Sequence, residues 1–238
     1  MNTEPLQLFA FRYGVSPCPE NLIFAGENTG RNVALAWACY LLQTASARIL
    51  IDCGFNDPEK AKQFGITLVA DPVAMLATVG VPSDSITHLV VTHHHFDHTG
   101  NLPRFPRATV IIQAAEYDLY RQEWPSHPEI PASRLVRFDS EYQVEGLSLR
   151  RIGGHTPGCT EVSLQYDGQR YVIPGDECYQ VKNYLERKPI GFASCPETNR
   201  NYIRSLPRDL ILLPFHDPAI FENYPQVTDD VVRIFPEG

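Results

Sequence analysis

The chain has 238 residues, 43% hydrophobic and 20% charged, with a formal net charge of −8. That is ordinary globular composition with length enough for a sizeable core, and it excludes a disordered tail or a disulfide-stapled miniature. Such acidity gives no general electrostatic footprint for nucleic acid or anionic lipid. No run of 18 apolar residues is present, so no transmembrane helix is expected. The first 30 residues carry one basic residue, Arg12, and a short apolar patch, Leu8 to Phe11, which is not a secretory signal. The six cysteines form no C-x-x-C pair and read as reduced, mostly packing thiols of a cytoplasmic protein. Proline, 20 residues or about 8%, exceeds the usual share and suggests many ordered loops.

In chain order, the nearly all-apolar run Val33 to Leu42 and the segment Ala47 to Asp52 read as a hairpin entering the core. Pro72 to Val79 reads as a helix closed by Gly80. Ile86 to Thr92 reads as a buried strand leading into a loop from His93 to Gly100. Ala108 to Gln113 is another strand, with a short helix through Glu116 to Tyr120, and Pro125, Pro128 and Pro131 then break any regular structure. Tyr142 to Ile152 alternates as a strand, and Val162 to Ile173 is a hairpin turned at Asp167 and Gly168. Glu197 to Leu206 reads as a helix and Leu210 to Leu213 as a short buried strand. Hairpins with helices between them suggest mixed sheets covered by helices, in one domain spanning 1–238.

The chemistry concentrates in Thr92, His93, His94, His95, Phe96, Asp97 and His98. Zinc-type cations want imidazole nitrogens and carboxylate oxygens converging at about 2.0–2.2 Å. Residues 93 and 95 point to one side of an extended segment, so both imidazoles can meet one ion. Asp97 and His98 lie at the turn beyond, where the chain can redirect toward a second ion. His94 alternates away, toward a supporting or packing role. A purification tag would not sit internally behind a buried strand. Three further residues stand just past strands: His155 in the glycine-rich turn Gly153 to Gly158, Asp176 after Ile173, and His216 after Leu213. Alone, each is an ordinary loop residue; beside the cluster, each is a candidate ligand.

The series T-H-x-H-x-D-H, G-H-T-P-G, Asp and a final His resembles the metallo-β-lactamase superfamily across nearly the whole chain. The resemblance implies an αββα sandwich, a four-layer α/β (α+β) fold, with a binuclear metal site at one edge of the sheets. By that likeness His93, His95 and His155 hold one ion, Asp97, His98 and His216 the second, and Asp176 bridges them. His88 and His127 match nothing. Two divalent ions about 3.5–4 Å apart can hold a bridging hydroxide and polarise an ester, lactone, thioester, amide or phosphoester. Zinc suits these ligands, as do iron, cobalt and manganese.

Within that superfamily the sequence resembles the N-acyl-homoserine lactonases most. Asp176, Glu177, Cys178 and Tyr179 match an Asp-x-x-Tyr in which the tyrosine donates to the lactone carbonyl as it becomes an oxyanion. Phe215 to Asp217, and later Arg233 to Pro236, also look alike. Asp97 would carry the proton. Phe215 stands where relatives often have glycine, and the Glu116–Arg134 stretch is short and proline-broken, which leaves substrate preference open. The expectation is a hydrolase of a small lactone, with a glyoxalase II-like thioesterase and a catalytically silent metal-binding protein as rivals. Neither nucleic acid nor membrane is expected as a partner, and monomer and homodimer both stay open. Tyr13, Phe24 and Phe55 are candidates for an apolar pocket, with ordinary packing the favoured reading.

Overall fold

The hairpin implied by the apolar run is present: Asn32–Gln43 and Arg48–Ile51 pair antiparallel, from Tyr40 opposite Ile51 to Gln43 opposite Arg48. It lies at the centre of the larger of two sheets in a computed structural model that describes residues 6–235. Strand order in that sheet is Gln226–Thr228, Val231–Arg233, Gln7–Pro19, Asn32–Gln43, Arg48–Ile51, His88–Val91, Thr109–Gln113 and Leu135–Phe138, with Thr67–Leu68 pairing beside Gln7–Pro19. The smaller sheet runs Ile211–Leu212, Gln169–Ile173, Thr160–Tyr166, Leu147–Arg151, Glu141–Val144.

Side chains alternate along a strand, so each central strand supplies two cores. Leu8, Ala10, Tyr40, Leu42, Ile49 and Ile51 meet Leu149, Val162, Leu164 and Ile173 between the sheets. Their neighbours Phe9, Phe11, Leu41 and Leu50 pack outward with Leu76, Tyr117 and Tyr120 of the covering helices. Beyond the smaller sheet, Val172 and Leu212 pack against Tyr202, Ile203 and Leu206 around helix Pro196–Ser205. The layers are therefore helix, sheet, sheet, helix, the expected αββα sandwich. Arg48–Ile51, His88–Val91, Thr109–Gln113 and Leu135–Phe138 run parallel, which brings their C-terminal ends to one edge.

Local differences from the sequence reading have identifiable causes. Gln7–Pro19 is one 13-residue strand, hidden by Pro17, Pro19 and a register shift between Arg12 and Gly14. Tyr142 to Ile152 is a hairpin and not a single strand, because Glu145 (φ 45°) and Gly146 (φ 84°) turn the chain between Val144 and Leu147. The Pro72–Met75 helix, capped by the Asp71 carboxylate accepting from Val73 N at 2.9 Å, tightens into a 3-10 turn through Val79. The helix through Glu116 is longer than expected, Ala114–Glu123. The His93–Gly100 loop contains one helical turn, Phe96–Thr99. Val231–Arg233 pairs with the first strand, and Pro236 lies outside the described residues. Among the described residues no helix is long and apolar enough to cross a membrane.

Candidate metal centre

Four parallel strands end at the edge where the histidine motif begins, and one buried carboxylate organises it. Asp52, at the end of Arg48–Ile51 with φ 56°, accepts hydrogen bonds from Thr92 N (2.7 Å), Thr92 Oγ1 (2.6 Å) and His98 Nδ1 (2.7 Å). Donating Nδ1–H to Asp52 leaves the lone pair of His98 on Nε2, which faces Asp97 Oδ2 at 3.0 Å and Asp176 Oδ2 at 3.7 Å. The turn carrying His98 is close-packed: a Cβ on Gly100 would lie 2.6 Å from Phe55 Cβ.

The other rings are committed in the same way. His155 Nδ1 donates to Phe192 O at 3.0 Å and His216 Nδ1 to Ala36 O at 2.9 Å. Thr92 Oγ1, already donating to Asp52, can accept from His93 Nδ1 at 3.2 Å. The free nitrogens then converge. His95 Nδ1 is 3.1 Å from both His93 Nε2 and His155 Nε2, so three acceptor-type atoms crowd one space. Ligand atoms of His93, His95 and His155 lie within 4.8 Å of one another, as do those of His93, His98 and Asp176 and those of Asp97, His98 and His216. Asp176 Oδ2 is 3.7, 3.6 and 3.4 Å from Nε2 of His93, His155 and His216. Among the described residues, buried His98 Nε2 and Asp176 Oδ1 have no hydrogen-bond partner. Converging lone pairs, two carboxylates and orphaned buried atoms are what a site for divalent cations requires, so these residues fit the group.

Electrostatics agree. Burial, with His155 alongside, lowers His95 to about 4, and burial lowers His93 well below the usual histidine range, so both rings stay neutral. Burial would raise Asp97 and Asp176, yet the neighbouring His98 and His216 outweigh it and hold both carboxyls low. At His98, burial is outweighed by Asp97, Asp52 and Asp176, which favour positive charge in that space.

All seven candidate ligands thus come together. His94 does not join them: its Nδ1 meets Glu116 Oε2 at 2.6 Å on the other side. His88 sits at the far end of its strand beside Thr87, and His127 stacks on Trp124. Tyr13, Phe24 and Phe55 are core residues; the Tyr13 hydroxyl donates to Asp97 O at 2.8 Å. Cys159 and Cys178 are buried thiols that belong to none of the three donor groups. Sequence reasoning missed Asp52, Glu116 and Glu177. Glu177 accepts from Gly154 N (2.7 Å) and His155 N (2.9 Å) and is itself held by Asn199. The signal available for Asp52 was a lone charge directly after the apolar Ile49, Leu50 and Ile51.

His95, Asp97, His155, Asp176 and His216 form the floor of a cleft of about 480 Å³. Its walls are Leu22, Leu35, Trp37, Phe64, Phe96 and Phe192, and no lysine or arginine is among the described residues that line it. Tyr179 is at the floor, its hydroxyl 3.4 Å from His155 Nδ1 and its ring 5.5 Å from that of His216.

The family model described as "Metallo-beta-lactamase superfamily" matches residues 37–216, from the central hairpin to the last histidine of the site. The chain belongs to this superfamily. Relatives in the superfamily include the N-acyl homoserine lactonase AiiA of Bacillus thuringiensis subsp. kurstaki, 27% identical over 228 residues covering 87% of this chain and 88% of the relative. A solved N-acyl homoserine lactone hydrolase, with the product N-hexanoyl-L-homoserine bound at its catalytic metal center, superposes with a TM-score of 0.78 at 20% identity, covering 94% of this chain and 98% of that one. A probable metal-dependent hydrolase from Staphylococcus aureus gives a TM-score of 0.79 at 19% identity over 91% of each chain.

Proposed function

We propose that this metal-dependent hydrolase opens the ring of an N-acyl-homoserine lactone or a similar lactone. In this reading His93, His95 and His155 hold one divalent ion, Asp97, His98 and His216 a second, and Asp176 lies between them. Zinc suits this histidine-rich set best. Bound ions of this kind supply Lewis-acid polarisation of an ester carbonyl and acidify water near neutral pH.

The chain's own groups do the rest. Asp97, a buried carboxylate at the cleft floor, takes a proton from the attacking water and returns it to the leaving alkoxide. Burial, reinforced by Asp176 and Asp97, pushes the Tyr179 phenol well above its ordinary range, so it keeps its proton and donates a hydrogen bond to the carbonyl oxygen as negative charge develops. The observation that carries the reading is the seven-donor cluster, five of whose members reach the floor of an apolar cleft. Leu22, Trp37, Phe64 and Phe192 offer an acyl chain a hydrophobic bed. A wall without lysine or arginine favours neutral substrates over phosphodiesters or thioesters bearing carboxylates.

Zinc-loaded protein assayed against an N-acyl-homoserine lactone and an acyl thioester tests this. Ring opening of the lactone, detected by acid release, is the expected result. Turnover of the thioester alone would overturn the lactone reading. Inactivity on lactones, thioesters and phosphodiesters alike would favour a silent metal-binding protein.

A further inference from the structure

Two loops from different sheets supply the His93, His95 and His155 group, and one side chain outside the ligand set touches both. Glu116, in the first turn of helix Ala114–Glu123, is fully buried. Its Oε2 accepts from the backbone N of His94 at 2.8 Å and from His94 Nδ1 at 2.6 Å. Its Oε1 accepts from the backbone N of Gly158 at 2.6 Å. His94 lies between His93 and His95, while Gly158 closes the turn that carries His155.

The helix that presents Glu116 is itself fixed. The Gln113 side chain caps it, accepting from Ala115 N at 2.7 Å, and donates to Asp139 O at 3.0 Å. The loop seats directly on this turn: a Cβ on Gly158 would collide with Gln113 Oε1 and lie 2.8 Å from Glu116 Cγ. Glycine at 158 is therefore a steric requirement of the Glu116 contact.

We propose that Glu116 is a positioning residue that sets the spacing between the His93–His95 segment and the His155 loop, with His94 as its handle on the first. This rests on the reading of His93, His95 and His155 as ligands of one ion. A carboxylate is needed because three N–H groups converge on it from two sides and only acceptors satisfy them. Glutamine offers one acceptor oxygen, so one side would face N–H against N–H.

The test is stepwise zinc titration of the full chain against a chromogenic chelator, with the visible spectrum of the cobalt-loaded protein as a second readout. Unsubstituted protein that takes up no ion would refute the ligand assignment itself and is checked first. In Glu116→Gln, affinity for the first ion falls about 10–100-fold while the second is unchanged, the size usual for a group that orients metal ligands. The cobalt spectrum shifts, kcat recovers with excess zinc, and KM stays put. Glu116→Asp, which keeps the charge but loses a methylene of reach, shows the same pattern. Both affinities unchanged, or both lowered equally, would overturn the proposal. So would loss of fold in both variants, since Glu116 would then serve the whole domain and not one pair of loops.

Discussion

Replacing Asp52 with asparagine tests how the second group of ligands is oriented. The carboxylate accepts three hydrogen bonds at 2.6–2.7 Å and is fully buried. Asparagine has nearly the same shape but only one acceptor oxygen. If its amide faces Thr92 N, a buried N–H loses its acceptor, at a cost of about 1–3 kcal/mol. If it faces His98, the ring must accept on Nδ1 and carry its proton on Nε2, the atom that faces Asp97 and Asp176. A cation at Asp97, His98 and His216 must then displace that proton. The first cost falls on ion-free and ion-bound protein alike; the second falls on ion binding and weakens the second ion by about 1–3 kcal/mol, roughly 5- to 150-fold in affinity. Chelator competition on Asp52→Asn, with circular dichroism to show that the fold persists, measures it. An affinity within about threefold of the parent, or equal weakening of both ions, would refute the reasoning.

The same geometry gives three more expected outcomes. His98→Ala retains about one ion fewer per chain and loses nearly all turnover, whereas His94→Ala, which leaves the backbone N–H of residue 94 on Glu116, is mild by comparison and still holds both ions at excess zinc; metal analysis of the two proteins decides it, and equal losses would sink the ligand assignment. Tyr179→Phe lowers kcat on the order of 100-fold by removing one donor to the developing oxyanion. Its metal content is unchanged, and a drop in bound metal would mean that the tyrosine supports ligands instead. Under native conditions a thiol reagent labels exposed Cys195 first and half-buried Cys18 more slowly. Cys39, Cys53, Cys159 and Cys178, all raised by burial, react only after denaturation, and rapid native labelling of any of the four would contradict their packing.

Much of the candidate site was legible because its donor residues stand where the hydrophobic pattern stops. His93, His95, Asp97 and His98 come directly after one buried strand, and His155, Asp176 and His216 each come after another, so a one-dimensional pattern picked out the seven residues that the fold brings together. The supporting carboxylates were not legible. Glu116 lies 22 residues from His94 and 42 from Gly158, and nothing local says that a helix will bring it to both. Glu177 looks like a surface residue until Asn199 and the His155 loop close over it. In the fold, periodicity revealed the central hairpin but not Gln7–Pro19, whose prolines and bulge resemble a loop although its pairing with Asn32–Gln43 is nearly continuous. The cleft walls come from separated segments around Leu22, Trp37, Phe64 and Phe192, so pocket shape is a property of the assembled sandwich.

The seven donors are also divided between the two halves of the molecule. Four stand after a strand of the larger sheet, and three after strands of the smaller one. At the same seam the Tyr40 hydroxyl donates to Pro214 O at 2.7 Å, and His216 and Ala36 exchange two hydrogen bonds. An ion shared across that seam would be a cross-link, and its binding free energy would add to whatever resists the sheets sliding apart. Chelation should therefore lower the melting temperature as well as abolish turnover. An unchanged melting temperature would mean that the apolar interior alone keeps the sandwich shut.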